Sequence, residues 1–389
     1  MGQTAEERKT EMKVFTTTFY RNNYGSALQA FALQQVLIRF GADPVIMEPP
    51  LPPVSPRHRK GVLSRVKHFF RPEKHYGIVL KARRILERRI YRKKSAKIDA
   101  FLKEHVRTQA YEICREQIEA APCILMAGSD QIWNTLNHDL PGFHYFKDIE
   151  NPRARRCSYA ASTGISEFSP EQIAYYQTVL KQFDTVSFRE RSVYLALSPH
   201  LSNREVRCDP DPTLLLGGEF WQTLASPRLH EAPYVFVYML RPDRHLITYA
   251  KTVARALHCS IVYMGQYVNY YPGVRTVADA GVPDFLSYIL HAETVITNSF
   301  HGTVFSVLFK KRFASAKIAS TSTRAEDLLE RLSLQNQLIT RPYDTAAAMR
   351  DYDRAPADDA LAAMRTDAAA YLKSLTDSPD CAFSSDTPT

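Results

Sequence analysis

The sequence has no pair of cysteines spaced for a metal or redox motif. Cys114, Cys123, Cys157, Cys208, Cys259 and Cys381 are scattered singly. Without a CxxC pair, neither a zinc site nor a thioredoxin-like couple is supported. Cys123, Cys157 and Cys208 fall in apolar or strand-like surroundings and read as buried, reduced thiols of a cytoplasmic chain. Long apolar runs are also missing. Nothing approaches the ~18 consecutive apolar residues of a membrane span. Residues 1–13 are polar and charged, so no secretory leader is expected. GxGxxG, Walker A, HExxH and GxSxG motifs are absent from any place where a strand would precede them. Acids are nearly absent from one stretch. Between Arg57 and Lys97, 16 Lys and Arg face only Glu73 and Glu87, a local net of +14. The whole chain carries +9, so everything outside this stretch carries −5. The basicity belongs to one segment, which argues against nucleic-acid binding as the general role.

What is present is the pattern of an α/β protein. The chain has 389 residues, 45% hydrophobic and 23% charged. At roughly 100–200 residues per domain, two soluble domains are expected. Val14-Phe15-Thr16-Thr17-Thr18 is a strand signal, Asn22 to Ser26 a turn, and Ala27 to Leu37 a helix with apolar residues at helical spacing. Pro44-Val45-Ile46-Met47 is the next strand. This βαβ opening implies a parallel sheet, with ligands at the carboxyl ends of its strands. Asn23, Tyr24 and Gly25 are therefore candidate cleft residues, with ordinary turn chemistry as the alternative. The theme recurs at Cys123 to Ala127, which runs into Gly128-Ser129-Asp130-Gln131-Ile132-Trp133-Asn134. Asp130 sits there as a candidate base or hydroxyl acceptor. Asp184 to Ser187 leads to Arg189, whose rigid fork suits phosphate or carboxylate as well as a structural carboxylate partner. A second α/β unit starts at Tyr234 to Leu240 and continues through Ser260 to Gly265.

The most informative stretch is Val295-Ile296-Thr297-Asn298-Ser299-Phe300-His301-Gly302-Thr303-Val304. An apolar strand stops at a polar cluster, which opens an apolar helix. Asn298 and Ser299 can cap that helix, and Gly302 lets the backbone approach closely. His301 then lies by a helix N-terminus, where anions are favoured. Lys310, Lys311, Arg312, Lys317 and Arg324 follow. A turn-capping role for His301 is the alternative.

Four stretches together resemble the polysaccharide pyruvyl transferase family: Asn23-Tyr24-Gly25-Ser26-Ala27-Leu28-Gln29, Gly128 to Asn134, Ser187-Phe188-Arg189-Glu190-x-Ser192 with Asp211-Pro212-Thr213, and Thr297 to Gly302. The resemblance runs from about Val14 to about Leu334. It implies two Rossmann-like domains in a GT-B-type arrangement with an interdomain cleft. It also implies transfer of the carboxyvinyl unit of phosphoenolpyruvate onto two hydroxyls of one sugar, in a capsule, exopolysaccharide or lipid-linked repeat unit, with release of phosphate. The resemblance carries the family's phosphoenolpyruvate site over to His301, as the catalytic group, and to Arg189, Arg324 and Lys317. Beside it, the residues themselves make Asp130 the expected catalytic acceptor or orienter of a sugar hydroxyl, Ser299 and Asn298 expected phosphoenolpyruvate contacts, and Asn23, Tyr24, Gly25 and Trp133 expected acceptor contacts. No metal and no cofactor beyond the donor is expected, nor a nucleic-acid partner. The rivals are a glycosyltransferase using a nucleotide sugar and a non-catalytic glycan- or lipid-binding scaffold.

The expected domains are 12–220 with a basic helical insert at about 50–110, 230–345 carrying the Ser-Phe-His motif, a terminal helix over 346–375 and a disordered tail over 376–389. Ile78, Ala82, Ile85, Leu86 and Ile90 fall at helical spacing among arginines. That basic amphipathic helix suits an anionic membrane surface, or a solvated insert packed on its own domain. The expected location is the cytoplasm, with peripheral contact at the inner face of the membrane.

Overall fold

The computed structural model describes residues 12–21, 23–50, 78–135, 142–202, 204–317, 323–343 and 346–377. The first sheet contains β1 (Met12–Thr17), β2 (Ala42–Met47), β3 (Thr108–Gln109), β4 (Cys123–Ala127), β5 (Ala154–Ser158), β6 (Thr185–Phe188) and β7 (Glu205–Cys208), in the order β3-β2-β1-β4-β5-β6-β7. The second contains β8 (Tyr234–Met239), β9 (Ser260–Gly265), β10 (Arg275–Val277), β11 (Thr294–Thr297), β12 (Arg312–Ala316) and β13 (Leu338–Ile339), in the order β10-β9-β8-β11-β12-β13. The strand pairs of both sheets run parallel. Central parallel strands are covered on both faces and so are apolar throughout. Cys123–Ala127 and Tyr234–Met239 are buried at every position.

Each sheet reverses direction at one point, between β1 and β4 and between β8 and β11. Open α/β sheets bind ligands at such switch points. The loops after these four strands are the stretches rich in Gly, Ser, Asn and Asp. The expected α/β class with two Rossmann-like units is what the chain adopts.

The two units share an apolar seam. Tyr24, at the start of the helix Tyr24–Arg39, stacks on Phe285 at 4.9 Å and donates from Oη to the Ala280 carbonyl at 2.9 Å. Phe31 of that helix meets Trp221, which meets Phe305 of the second unit at 5.2 Å. The terminal helix, Ala355–Thr376, returns to the first unit. Tyr371 donates to the Ser158 carbonyl at 3.0 Å and Arg207 pairs with Asp367 at 2.9 Å. The tail beyond 377 lies outside the described residues.

The basic insert is described from residue 78 onward as the helix Ile78–His105; its part from 51 to 77 lies outside the described residues. Ile98, Phe101 and Leu102 are buried, and Phe101 packs edge-on against Phe31 at 5.6 Å. Lys94 is buried too. Its Nζ donates to the Gly265 carbonyl at 3.1 Å and lies 4.7 Å from the centre of the Tyr24 ring. Burial brings its pKa down to about 8. None of the described helices is long and apolar enough to cross a membrane.

Candidate active site

The floor of the cleft is a buried carboxylate, Asp211. It caps the short helix Pro212–Leu215, with Oδ1 accepting from the Thr213 amide at 3.1 Å and the Thr213 hydroxyl at 2.7 Å. Its Oδ2 accepts from Arg189 Nη1 at 2.9 Å and from the Ser129 hydroxyl at 3.5 Å. His301 Nε2, from the second unit, lies 3.6 Å from the same oxygen, a charge contact longer than a hydrogen bond. Burial alone would raise the Asp211 pKa; His301, Arg189 and Thr213 outweigh it and hold the carboxyl well below the usual range.

Arg189 leaves the carboxyl end of β6 and is 4% exposed. Burial disfavours its charge, but Glu190 and Asp211 beside it raise its pKa overall. Glu190 Oε1 accepts from Arg189 Nε at 3.3 Å and from the Ser162 hydroxyl at 2.7 Å. Three buried polar atoms of this cluster have no partner: Arg189 Nη2, Glu190 Oε2 and His301 Nε2. Buried groups left unsatisfied in a native site call for an explanation, and a ligand supplies one.

Arg189 and Arg324 both approach the Phe300 ring, with guanidinium carbons 4.9 and 5.9 Å from its centre. Cations over an aromatic face are favourable by about 0.5–2 kcal/mol. Arg324 is partly exposed, and among the described residues it has no hydrogen bond or ion pair. Burial, then the neighbouring Arg189, lowers its pKa. Its helix, Thr323–Arg331, is fixed to the first unit by Asp327, which accepts from the Ser192 amide and hydroxyl at 3.1 and 2.8 Å. Ser320-Thr321-Ser322, which read as a cap for this helix in the sequence, lie outside the described residues. A cavity of about 130 Å³ opens on Arg324, Phe300, Gln131, Arg241, Asn298 and Lys317. That is well above the ~10–15 Å³ needed to admit one water.

The Ser-Phe-His turn is built by local hydrogen bonds. Thr297 Oγ1 donates to the Tyr238 carbonyl at 2.8 Å and accepts from the Ser299 amide at 3.0 Å. Ser299 caps the helix Phe300–Leu308 by accepting from the Gly302 amide. A Cβ on Gly302 would lie 2.3 Å from Thr297 Oγ1, so the turn requires glycine. Asn298 does not cap. Its side chain accepts from the Leu240 amide at 2.9 Å and donates to the Arg241 carbonyl at 2.8 Å, tying β8 to β11.

On the opposite wall, Asp130 Oδ2 accepts from the Ser26 hydroxyl at 2.7 Å. Asp130 has φ of 75°, in the left-handed region. Asn23 caps its helix through the Ser26 amide at 3.0 Å. Gly25 faces the imidazole of His301. A Cβ there would stand 2.0 Å from Nδ1. Gly25→Ala is therefore expected to displace the imidazole and lower the catalysed rate by about 10²–10⁴-fold, the usual worth of a positioned proton donor. The fold should survive, as circular dichroism would show. Activity within twofold of wild type would show that His301 does not need this place.

His301, Arg189, Arg324 and Asp130 thus converge from both units. Other expected site residues are placed differently. Trp133 is 1% exposed, stacked on Tyr145 and edge-on to Phe183 and Phe188. It belongs to the core and reaches no acceptor surface. Tyr24 is likewise 1% exposed and committed to the seam. Lys317 lines the cavity but pairs with Glu326 at 2.9 Å. Asp211, Glu190 and Phe300 were not anticipated as site residues. The sequence signal for Asp211 was its place before Pro212 and Thr213, the pattern of a helix cap.

Two parallel sheets with switch points facing across a buried Asp–Arg–His cluster define a GT-B-type α/β protein with a charged interdomain cleft. The sequence profile of the polysaccharide pyruvyl transferases matches residues 23–315, and the chain belongs to that family. No curated protein matches the sequence. Among solved structures it is similar to the UDP-N-acetylglucosamine 2-epimerase of Rickettsia bellii, at 8% identity and a TM-score of 0.47 over 94% of this chain and 98% of that one. The UDP-GlcNAc 2-epimerase of Neisseria meningitidis bound to UDP-GlcNAc matches at 10% identity and a TM-score of 0.46, over 95% of each chain. Anabaena Alr3699/HepE, in complex with UDP and glucose, matches at 10% and 0.45, over 94% and 96%. Likeness at this level carries nothing about chemistry.

Proposed function

We propose that the protein transfers the carboxyvinyl unit of phosphoenolpyruvate onto two hydroxyls of one sugar, forming a cyclic ketal and releasing phosphate. The supporting observation is the pair Arg189 and Arg324, both over the Phe300 ring, with Arg189 Nη2 without a hydrogen bond. Phosphoenolpyruvate carries a phosphate and a carboxylate; Arg324 offers a fork to one of them, and Arg189 offers its remaining Nη2, since its other nitrogens are held by Glu190 and Asp211.

In this reading the protonated His301 gives its proton to C3 of the enol, leaving an oxocarbenium-like C2. A sugar hydroxyl adds to C2, and its proton passes to Asp130. The C2–O bond to phosphate then breaks, with Arg189 and Arg324 stabilising the departing charge. The second hydroxyl adds to C2 and returns a proton to His301. One hydroxyl proton thus replaces the one placed on C3, and the other leaves with the phosphate. Asp211 faces the imidazole of His301 at 3.6 Å throughout these steps. Ser299 shapes the turn that presents His301, and Asn298 and Lys317 border the donor cavity. Asn23 and Gly25 form the acceptor side. No metal or further cofactor enters these steps. The acceptor is a sugar of a bacterial-type polysaccharide or its lipid-linked repeat unit, met in the cytoplasm at the inner face of the membrane.

The test is to mix the protein with phosphoenolpyruvate and candidate lipid-linked sugars, and to measure inorganic phosphate and acceptor mass. Phosphate release that depends on acceptor, with a carboxyethylidene mass gain, is the expected result. Turnover of a nucleotide sugar with no use of phosphoenolpyruvate would overturn the reading.

A further inference from the structure

The helix Ile78–His105 has two unlike halves. From Lys94 onward it is held by both units. Lys94 is inserted against Gly265 and Tyr24, Lys97 pairs with Asp284 at 3.3 Å, and Ile98, Phe101 and Leu102 are buried. Before Lys94 the side chains described from residue 85 lie largely in solvent. Ile85 is 55% exposed and Leu86 52%, and Arg88, Arg89, Arg92 and Lys93 are exposed as well. At ~100° per residue, Ile85, Arg88, Arg89 and Arg92 point within about 60° of the direction opposite Lys94, and Leu86 and Lys93 flank them on one side. Two aliphatic groups and four cations share one face, with Glu87 the sole acid between residues 85 and 97.

We propose that this face docks the protein on an anionic bilayer surface. Charge complementarity selects the occupant, and the aliphatic pair narrows it. Clustered Lys and Arg are drawn to a negatively charged leaflet, but a polyanion such as RNA offers nothing to Ile85 and Leu86. A bilayer accepts both, because the aliphatic side chains enter the headgroup boundary while the long cationic stems keep their charges in the interface. The face is coupled to the cleft by construction. Nine residues of helix, roughly 14 Å at 1.5 Å each, separate Ile85 from Lys94. Lys94 in turn touches Tyr24, the neighbour of the Gly25 that faces His301. Docking would therefore fix the distance and orientation of the cleft relative to the bilayer.

The experiment floats the full-length chain with vesicles of neutral phosphatidylcholine, and with vesicles containing phosphatidylglycerol, at low and high salt. Recovery with the anionic vesicles should exceed that with neutral ones by about tenfold or more and fall as salt screens the charges. Ile85→Asp with Leu86→Asp, and separately Arg88→Glu with Arg89→Glu and Arg92→Glu, should each abolish the excess. Phosphate release on a water-soluble acceptor should persist in both variants. Equal recovery on the two vesicle types overturns the proposal. So does wild-type flotation of the aspartate variant, which would reveal a binder of polyanions in general. Flotation needs neither donor nor acceptor, so its failure would leave the pyruvyl transfer reading standing.

Discussion

Replacing His301 by alanine is expected to lower acceptor-dependent phosphate release by about 10²–10⁴-fold, the typical contribution of a positioned general acid. The informative companion is His301→Gln. Glutamine fills much of the space between Gly25 and Asp211 and still donates a hydrogen bond, but it cannot exchange a proton near neutrality. If the imidazole delivers the proton to the enol carbon, glutamine should be as inactive as alanine. If His301 only holds an anionic group of the donor, glutamine should retain most of the rate, with the loss confined to KM. Both variants should keep the wild-type unfolding midpoint within a few degrees, because Asp211 retains Arg189, Ser129 and Thr213. A glutamine variant within tenfold of wild type in kcat would remove His301 from the proton transfer.

The second large effect is on stability. Asp211 is 1% exposed and shares one carboxylate oxygen among Arg189, Ser129 and His301. Asp211→Asn preserves the shape and removes the charge. Arg189 then keeps only Glu190 as a carboxylate partner. Breaking a buried pair costs about 3–5 kcal/mol; the remaining Glu190 places the expected loss near the lower end. The loss should depend on pH in a stated direction. The folded carboxyl is held below its ordinary range, because His301, Arg189 and Thr213 overcome the effect of burial. The unfolded chain takes up the proton near pH 3.9. The stabilisation is therefore complete above that value and fades as the pH falls below it towards the folded pKa. The urea midpoints of wild type and Asp211→Asn should lie furthest apart at neutral pH and draw closer as the pH falls below about 3.9. A gap that stays the same size would show that charge pairing is not the source.

The strands were legible because a buried parallel strand must be apolar, and its end must turn polar to meet solvent or ligand. Cys123–Ala127 and Tyr234–Met239 follow that rule, so their carboxyl ends stand out in the sequence as Gly128 to Asp130 and as the polar residues after Met239. The helix after β11 starts at Phe300, capped by Ser299 as the polar cluster after the strand suggests. Asp211, Glu190 and Phe300 were not legible as site residues. A carboxylate or a phenyl ring takes its role from what faces it, and here Arg189, Ser129 and His301 reach Asp211, Ser162 reaches Glu190, and Arg189 and Arg324 reach Phe300 across more than twenty positions. Trp133 shows the reverse. Its neighbours in sequence are polar, but its indole turns inward among Tyr145, Phe183 and Phe188. Gly25 was legible as a cleft residue, but its reason was not. The side chain it makes room for lies 276 positions further on.

Rossmann units joined by a soft, polar interface can swing apart and refold separately. The aromatic seam from Phe31 through Trp221 and Phe305 to Phe285 and Tyr24 denies both freedoms. One apolar cluster includes Val14 and Leu28 of the first unit and Val304 and Phe313 of the second. The two halves therefore share one apolar core. Opening the cleft by rotating one half away would expose stacked rings to water. Any ligand of the cleft meets a charged floor already set by Asp211, Arg189 and Glu190.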